Sequence, residues 1–205
     1  MVPASSAIIQ EIETMQKRGL ASLAFFYHDS KEDQKNDLRG LLSSVLVQLC
    51  HQSDAYCDIL SRFYLNHGCG SQLPNDDGLL RCLKDVLGLR GQAPTFLIID
   101  ALDECPNTNA MPSSREKVLT LLEELIELQL PNLRICVTSQ TDMDVKAVLE
   151  PLASHCVSMH DEKGHIEDIE NYIKSVVNSD PRIRRWKTEQ KQLVVDVLTE
   201  HADGM

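Results

Sequence analysis

Residues 95–105 read TFLIIDALDEC, an apolar run that ends on Asp100 and is followed closely by two further acids, Asp103 and Glu104. An apolar run of that length suits a strand buried in a parallel sheet, and open parallel sheets bind ligands beyond the carboxyl ends of their strands. A carboxylate delivered there can meet a hydrated Mg²⁺ ion, so Asp100 is the candidate metal residue. A second acid beside it can orient or deprotonate an attacking water. That catalytic role falls to Asp103 or Glu104, with Glu104 the favoured one. Taken alone, a strand-end acid would serve equally well as a cap for the next helix or as a solvated side chain.

The elements that must position this string can be read from the apolar spacing. Residues 21–27 (ASLAFFY), 133–138 (LRICVT) and 155–159 (HCVSM) join 95–100 as four expected strands. Between them, Leu38, Leu41, Leu42, Val45, Leu46 and Leu49 recur at helical spacing, as do Leu79, Leu80, Leu83, Val86 and Leu87. A third helix opens on the capping box Ser113 to Glu116, carries Val118, Leu121, Leu122, Leu125 and Leu128, and stops before Pro131. Downstream, Ile166, Ile169, Tyr172, Ile173 and Val176 mark one more helix, and Leu193, Val194, Val197 and Leu198 mark another starting near Thr188. The segment SDPRIRRW, 179–186, interrupts the pattern at Pro181, so the expected division is a core over 1–178 and the start of a helical subdomain over 179–205. Strands alternating with helices indicate a doubly wound α/β fold.

With those elements in place, IIDALDEC resembles the extended Walker B motif of the NACHT branch of the STAND-class P-loop NTPases, especially fungal NLR-like and nephrocystin-like proteins. The resemblance extends through AFFYHD at 24–29, RGLLSSVLVQLC at 39–50 and NLRICVTSQTDMDV at 132–145. It implies a P-loop-type sheet, Mg²⁺ with ATP or GTP as cofactors, a regulatory switch and flanking signalling or repeat domains as partners. The family places a phosphate-sensing arginine where this chain has Gln140, so Gln140 is the candidate nucleotide-binding residue. A glutamine can hydrogen-bond but offers no charged fork.

The phosphate-binding turn G-x-x-x-x-G-K-[ST], whose backbone amides and lysine cradle phosphate, occurs nowhere in the sequence. AIIQEIETM resembles the helix that follows that turn, with Ser5 and Ser6 read as its N-terminal cap. The expected sheet therefore lacks its phosphate-loop strand. Residues 21–27, 95–100 and 133–138 should form a parallel unit, and 155–159 should be displaced, weakly paired or drawn against 133–138. Unpaired edges favour marginal stability and self-association. The expected function is a NACHT-type signalling NTPase module with weak or absent nucleotide binding and little hydrolysis. The alternative is a nucleotide-independent interaction or scaffold module, or a fragment of a larger NLR-like receptor.

Composition narrows the field. The chain has 205 residues, 42% hydrophobic and 25% charged, enough for one core. Its net charge of -11 repels phosphate backbones and argues against nucleic-acid binding. The apolar runs fall short of the ~18 residues that a membrane span requires. Seven cysteines without a repeating spacing suit a reducing cytoplasm. Cys50, Cys57, His67 and Cys69 lack the paired short-loop spacing of a zinc site. Cys105 reads as a packing or loop residue, and His155, His160 and His165 as solvent-side residues. The basic cluster Arg182, Arg184, Arg185 and Lys187 reads as a solvated connector, with Trp186 as its anchor.

Overall fold

The computed structural model describes residues 4–29, 36–67, 73–108, 111–158, 163–183 and 185–200, apart from the side chains of residues 4, 163–169 and 200. Cys69, His160 and Arg184 lie outside these residues, as does the side chain of His165. Three strands, β1 (Ser22–Tyr27), β2 (Thr95–Asp100) and β3 (Leu133–Val137), pair in parallel in the order β1-β2-β3. The register sets Tyr27 opposite Asp100 and Ile98 opposite Cys136. The chain is thus an α/β protein with a parallel sheet flanked by helices, and the three strands are those expected from their apolar runs.

Alternation along each strand gives the sheet two apolar faces. On one face Leu23, Phe25, Phe96, Ile98 and Cys136 meet Ile9, Ile12 and Met15 of α1 (Ala4–Gln16). On the other, Ala24, Leu97 and Ile99 enter a larger cluster with α2 (Leu38–Cys50), α3 (Asp54–Asn66), α4 (Asp76–Leu87), α5 (Ser114–Glu127) and α6 (Met143–Leu149). Leu41, Leu42, Leu49, Leu83, Leu97 and Leu122 are fully buried there, and each such side chain stabilises the fold by about 1.5–3 kcal/mol. Local chemistry sets the helix starts. Asp37 caps α2 by accepting from Gly40 N–H at 2.8 Å, Asn75 caps α4 through Gly78 N–H at 2.9 Å, and Ser113 and Glu116 form the expected capping box of α5.

Two expectations are corrected. Residues 155–158 form no strand; Cys156 and Val157 are two apolar residues in a run that is exposed throughout, too little to hold a strand in place. Ser5 and Ser6 lie inside the first turn of α1 rather than capping it, and the Ser5 hydroxyl is buried without a hydrogen-bond partner. Beyond the sheet, α7 (Lys163–Ser179) and α8 (Thr188–Glu200) pack on each other and bury Val177 and Val195. They belong to a compact unit of residues 154–205, and the sheet belongs to another of residues 2–153. Trp186, between the two helices, is 46% exposed. Among the described residues no helix is long and apolar enough to cross a membrane.

The outer edge of β1 is closed by side chains. Gln52 Oε1 accepts from Leu23 N–H at 2.8 Å while its Nε2 donates to Leu23 O at 2.5 Å. Gln48 treats Phe25 in the same way, at 3.0 and 2.7 Å. Gln48 in the last turn of α2 and Gln52 just beyond its end thus satisfy backbone groups of Leu23 and Phe25 that a neighbouring strand would otherwise take. Replacing Gln48 with Leu leaves both Phe25 groups unpaired, so urea unfolding should show a loss of about 1–3 kcal/mol. An unchanged midpoint would mean that water replaces the amide at no cost.

Candidate functional site

At the carboxyl edge of the sheet, β2 ends on Asp100 and the chain turns sharply. Ala101 adopts φ 54, ψ 50, in the left-handed region, which costs a residue with a Cβ about 1–2 kcal/mol. Bonds to the segment after β3 hold it there. Thr138 N–H donates to Ile99 O at 2.9 Å, Ala101 N–H to Thr138 Oγ1 at 3.1 Å, and Leu102 N–H to Thr138 O at 3.0 Å. The Thr138 hydroxyl in turn donates to Asp100 Oδ1. One threonine therefore binds the candidate metal carboxylate and fixes the exit of the chain from the strand.

Leu102–Glu104 then forms a single 3₁₀ turn whose carbonyls are gripped in succession. Arg115 Nη2 donates to Asp103 O, Asn36 Nδ2 to Glu104 O at 3.0 Å, and Arg115 Nε to Cys105 O at 3.1 Å. Arg115 comes from the first turn of α5, which the capping box positions, and it is 8% exposed. Its Nη1 also reaches Asp142 Oδ2 at 2.7 Å and Asp144 Oδ2 at 3.2 Å, binding the acidic turn to the start of α6. Cys105 is buried in the core cluster, and burial raises its thiol pKa to about 11, so it packs and is no nucleophile.

Asn36 carries a further consequence. Its Nδ2 donates to Asp29 O and Glu104 O, both at 3.0 Å, so its Oδ1 is the group facing His28 Nδ1 and must accept. His28 therefore holds its proton on Nδ1, and its buried Nε2 has no partner. Burial, the largest influence, holds the His28 pKa below its ordinary value; the Asn36 bond opposes it, Arg115 lowers the pKa further, and Asp103 and Glu104 raise it.

The structure brings Asp100, Asp103, Glu104 and Gln140 to this one edge. Asp103 Oδ1 accepts from Gln140 N–H at 2.9 Å, and the Gln140 and Glu104 side chains are exposed. Arg115, Asn36, His28 and Thr138 complete the site; His28 and Thr138 fall within the stretches AFFYHD and NLRICVTSQTDMDV, which give them no role, and Arg115 and Asn36 fall outside them. The described residues hold no group of three His, Cys, Asp or Glu able to bind a metal. The acids fit the half of a nucleotide site that meets hydrated Mg²⁺, since such an ion takes one or two carboxylates and keeps its waters. The phosphate half does not fit. Gln140 is neutral, and the three guanidinium nitrogens of Arg115 are committed to protein oxygens.

An acid-bearing strand end, a clamped acidic turn and a neighbouring parallel strand define an α/β module of the kind whose chemistry lies at the carboxyl edge of its sheet. Residues 4–140 match the family model described as Nephrocystin 3, N-terminal, and the chain belongs to that family. No curated protein and no solved structure matches it.

Two outcomes follow. Arg115→Ala frees the Asp103 and Cys105 carbonyls and should lower stability by about 2–3 kcal/mol in chemical denaturation; Arg115→Lys, which lacks the fork, should recover little. His28 has a folded pKa below its unfolded value of 6.5, so the unfolded state binds more protons in that window. The His28 contribution is full above that value and is lost as pH falls through the folded pKa. Melting temperature should drop across this range in the native chain and less steeply in His28→Gln. Parallel profiles would show that His28 does not govern the slope.

Proposed function

We propose that this chain is a NACHT-type, STAND-class regulatory module that keeps the acidic side of a nucleotide site without its phosphate grip. The observation that carries the reading is the gathering of Asp100, Asp103 and Gln140 at the carboxyl edge of a three-stranded parallel sheet. In such a site Asp100 would hold the hydration shell of Mg²⁺, the ion would neutralise phosphate charge, and Asp103 or Glu104 would orient water. The sequence offers no glycine-rich phosphate turn, and Gln140 stands in place of a cation. We therefore assign the chain little or no hydrolysis of ATP or GTP.

The engagement of Arg115 with Asp142 and Asp144 favours a second reading, in which the surface acts as a nucleotide-independent interaction module for flanking signalling or repeat domains. In either role we place the chain in the cytoplasm, where its free cysteines would remain reduced. Calorimetric titration with Mg-ATP separates the readings. Heats too small for binding tighter than about 1 mM are expected, and Asp100→Ala should change nothing. Micromolar binding abolished by Asp100→Ala would instead restore a working nucleotide switch.

A further inference from the structure

Three free thiols gather where α2, α3 and α4 meet. Cys50 is the last residue of α2, Cys57 lies in the first turn of α3, and Cys82 is on α4. They form no metal-binding group, so the chemistry open to them is that of thiols. Cys82 is enclosed in the core at 2% exposure and out of reach of solutes. Cys50 and Cys57 are placed differently. Only residues 51–53 separate α2 from α3, and the Cys50 thiol donates to Tyr56 O at 3.4 Å. That carbonyl is bonded to the backbone nitrogen of Cys57, so the Cys50 sulfur rests against the peptide unit that carries the second thiol.

The two sulfurs are unequal. Cys57 is exposed and meets solutes first, whereas Cys50 is half-buried. Burial, with the neighbouring Cys57 a lesser influence, raises the Cys50 pKa to about 11, so Cys50 rests as a protonated thiol. Between them in the chain lies Gln52, whose amide closes the β1 edge at Leu23.

We propose that Cys57 and Cys50 form a redox-responsive dithiol that low-molecular-weight disulfides such as glutathione disulfide modify at Cys57 and then close to an intramolecular disulfide. In the first step the Cys57 thiolate attacks one sulfur of glutathione disulfide. That S–S bond breaks, one glutathione leaves as its thiolate, and Cys57 carries the other. In the second step Cys50 loses its proton to solvent and its sulfur attacks Cys57 Sγ, expelling the second glutathione, which takes up a proton. Two protein thiols are oxidised to one disulfide, and one glutathione disulfide is reduced to two thiols. The Cys50 thiolate is scarce, yet its high pKa makes it the stronger nucleophile, and its target is held on the adjoining turn. Closure exchanges the weak bond from Cys50 to Tyr56 O for a covalent one. The ring contains Gln52 and Ser53, the N-cap residue of α3, so oxidation ties the end of α2 to the start of α3 and holds Gln52 against β1. A reducing pool keeps both thiols free at rest, and the disulfide forms only when that pool is oxidised.

Peptide mapping by mass spectrometry after incubation of the chain with glutathione disulfide tests this, with acid quenching to trap intermediates. The expected result is transient glutathione on Cys57 followed by a Cys50–Cys57 crosslink. Starting from the trapped Cys57 adduct, closure should accelerate about tenfold per pH unit between about pH 7 and 9, because Cys50 ionises only near 11. Cys50→Ser should leave glutathione on Cys57, and Cys57→Ser should leave Cys50 unmodified. Hydrogen exchange at the Leu23 amide should slow on oxidation and recover with reduced glutathione. If Cys50→Ser does not fold, the map and pH profile of the native chain still decide. A native chain that keeps glutathione on Cys57 while Cys50 stays free, or that joins Cys50 to Cys82, would overturn the proposal. Closure without slower exchange at Leu23 would sever the dithiol from the β1 edge and overturn its role there.

Discussion

The candidate site depends on one constraint, the need to hold polar backbone where the chain leaves a buried strand. Beyond Asp100 no ladder remains to pair the carbonyls of Asp103, Glu104 and Cys105, and an unpaired buried carbonyl costs about 1–3 kcal/mol. Arg115 and Asn36 supply the missing donors from two different helical neighbourhoods. With its carbonyls held inward, the turn sends its acids toward the sheet edge, and Asp103 can accept from Gln140. The left-handed Ala101 is the local cost of this arrangement, offset by four bonds to one residue, Thr138.

The two halves of this structure were unequally legible in the sequence. Strands such as TFLIID and the capping box at Ser113 are local signals, since periodicity and a three-residue spacing specify them. The clamp could not be read in the same way. Asn36 lies 68 residues from the carbonyl it holds, and Arg115 lies within an ordinary helical turn whose charge suggests a solvated face. Only the packing of α5 beneath the acidic turn turns that side chain inward. His28 is similarly silent, because its tautomer is decided by an asparagine whose other bonds are long-range.

The segment 155–159 shows the converse. Its composition suits a strand, yet a strand exists only where a partner offers a ladder, and residues 155–158 have none. Propensity names what a segment can become, and its neighbours decide the outcome. The same logic separates a motif from its surroundings: Asp100 and Asp103 are placed at the sheet edge, while Arg115, the buried cation behind their turn, is engaged by Asp142 and Asp144.

The amide pair at the C-terminal end of α2 has a consequence for how the gene can vary. Gln48 in the last turn of the helix and Gln52 in the turn that follows it imitate a strand, so their reach depends on the angular phase of α2 as well as on residue identity. A single codon inserted in α2 just ahead of Gln48 would rotate both amides by about 100° around the helix axis and carry them off the β1 edge. The apolar residues beyond them would shift in the same sense. Length changes in this helix are therefore far more harmful than most point substitutions, and the lesion would emerge as a newly adhesive border rather than a missing catalytic group.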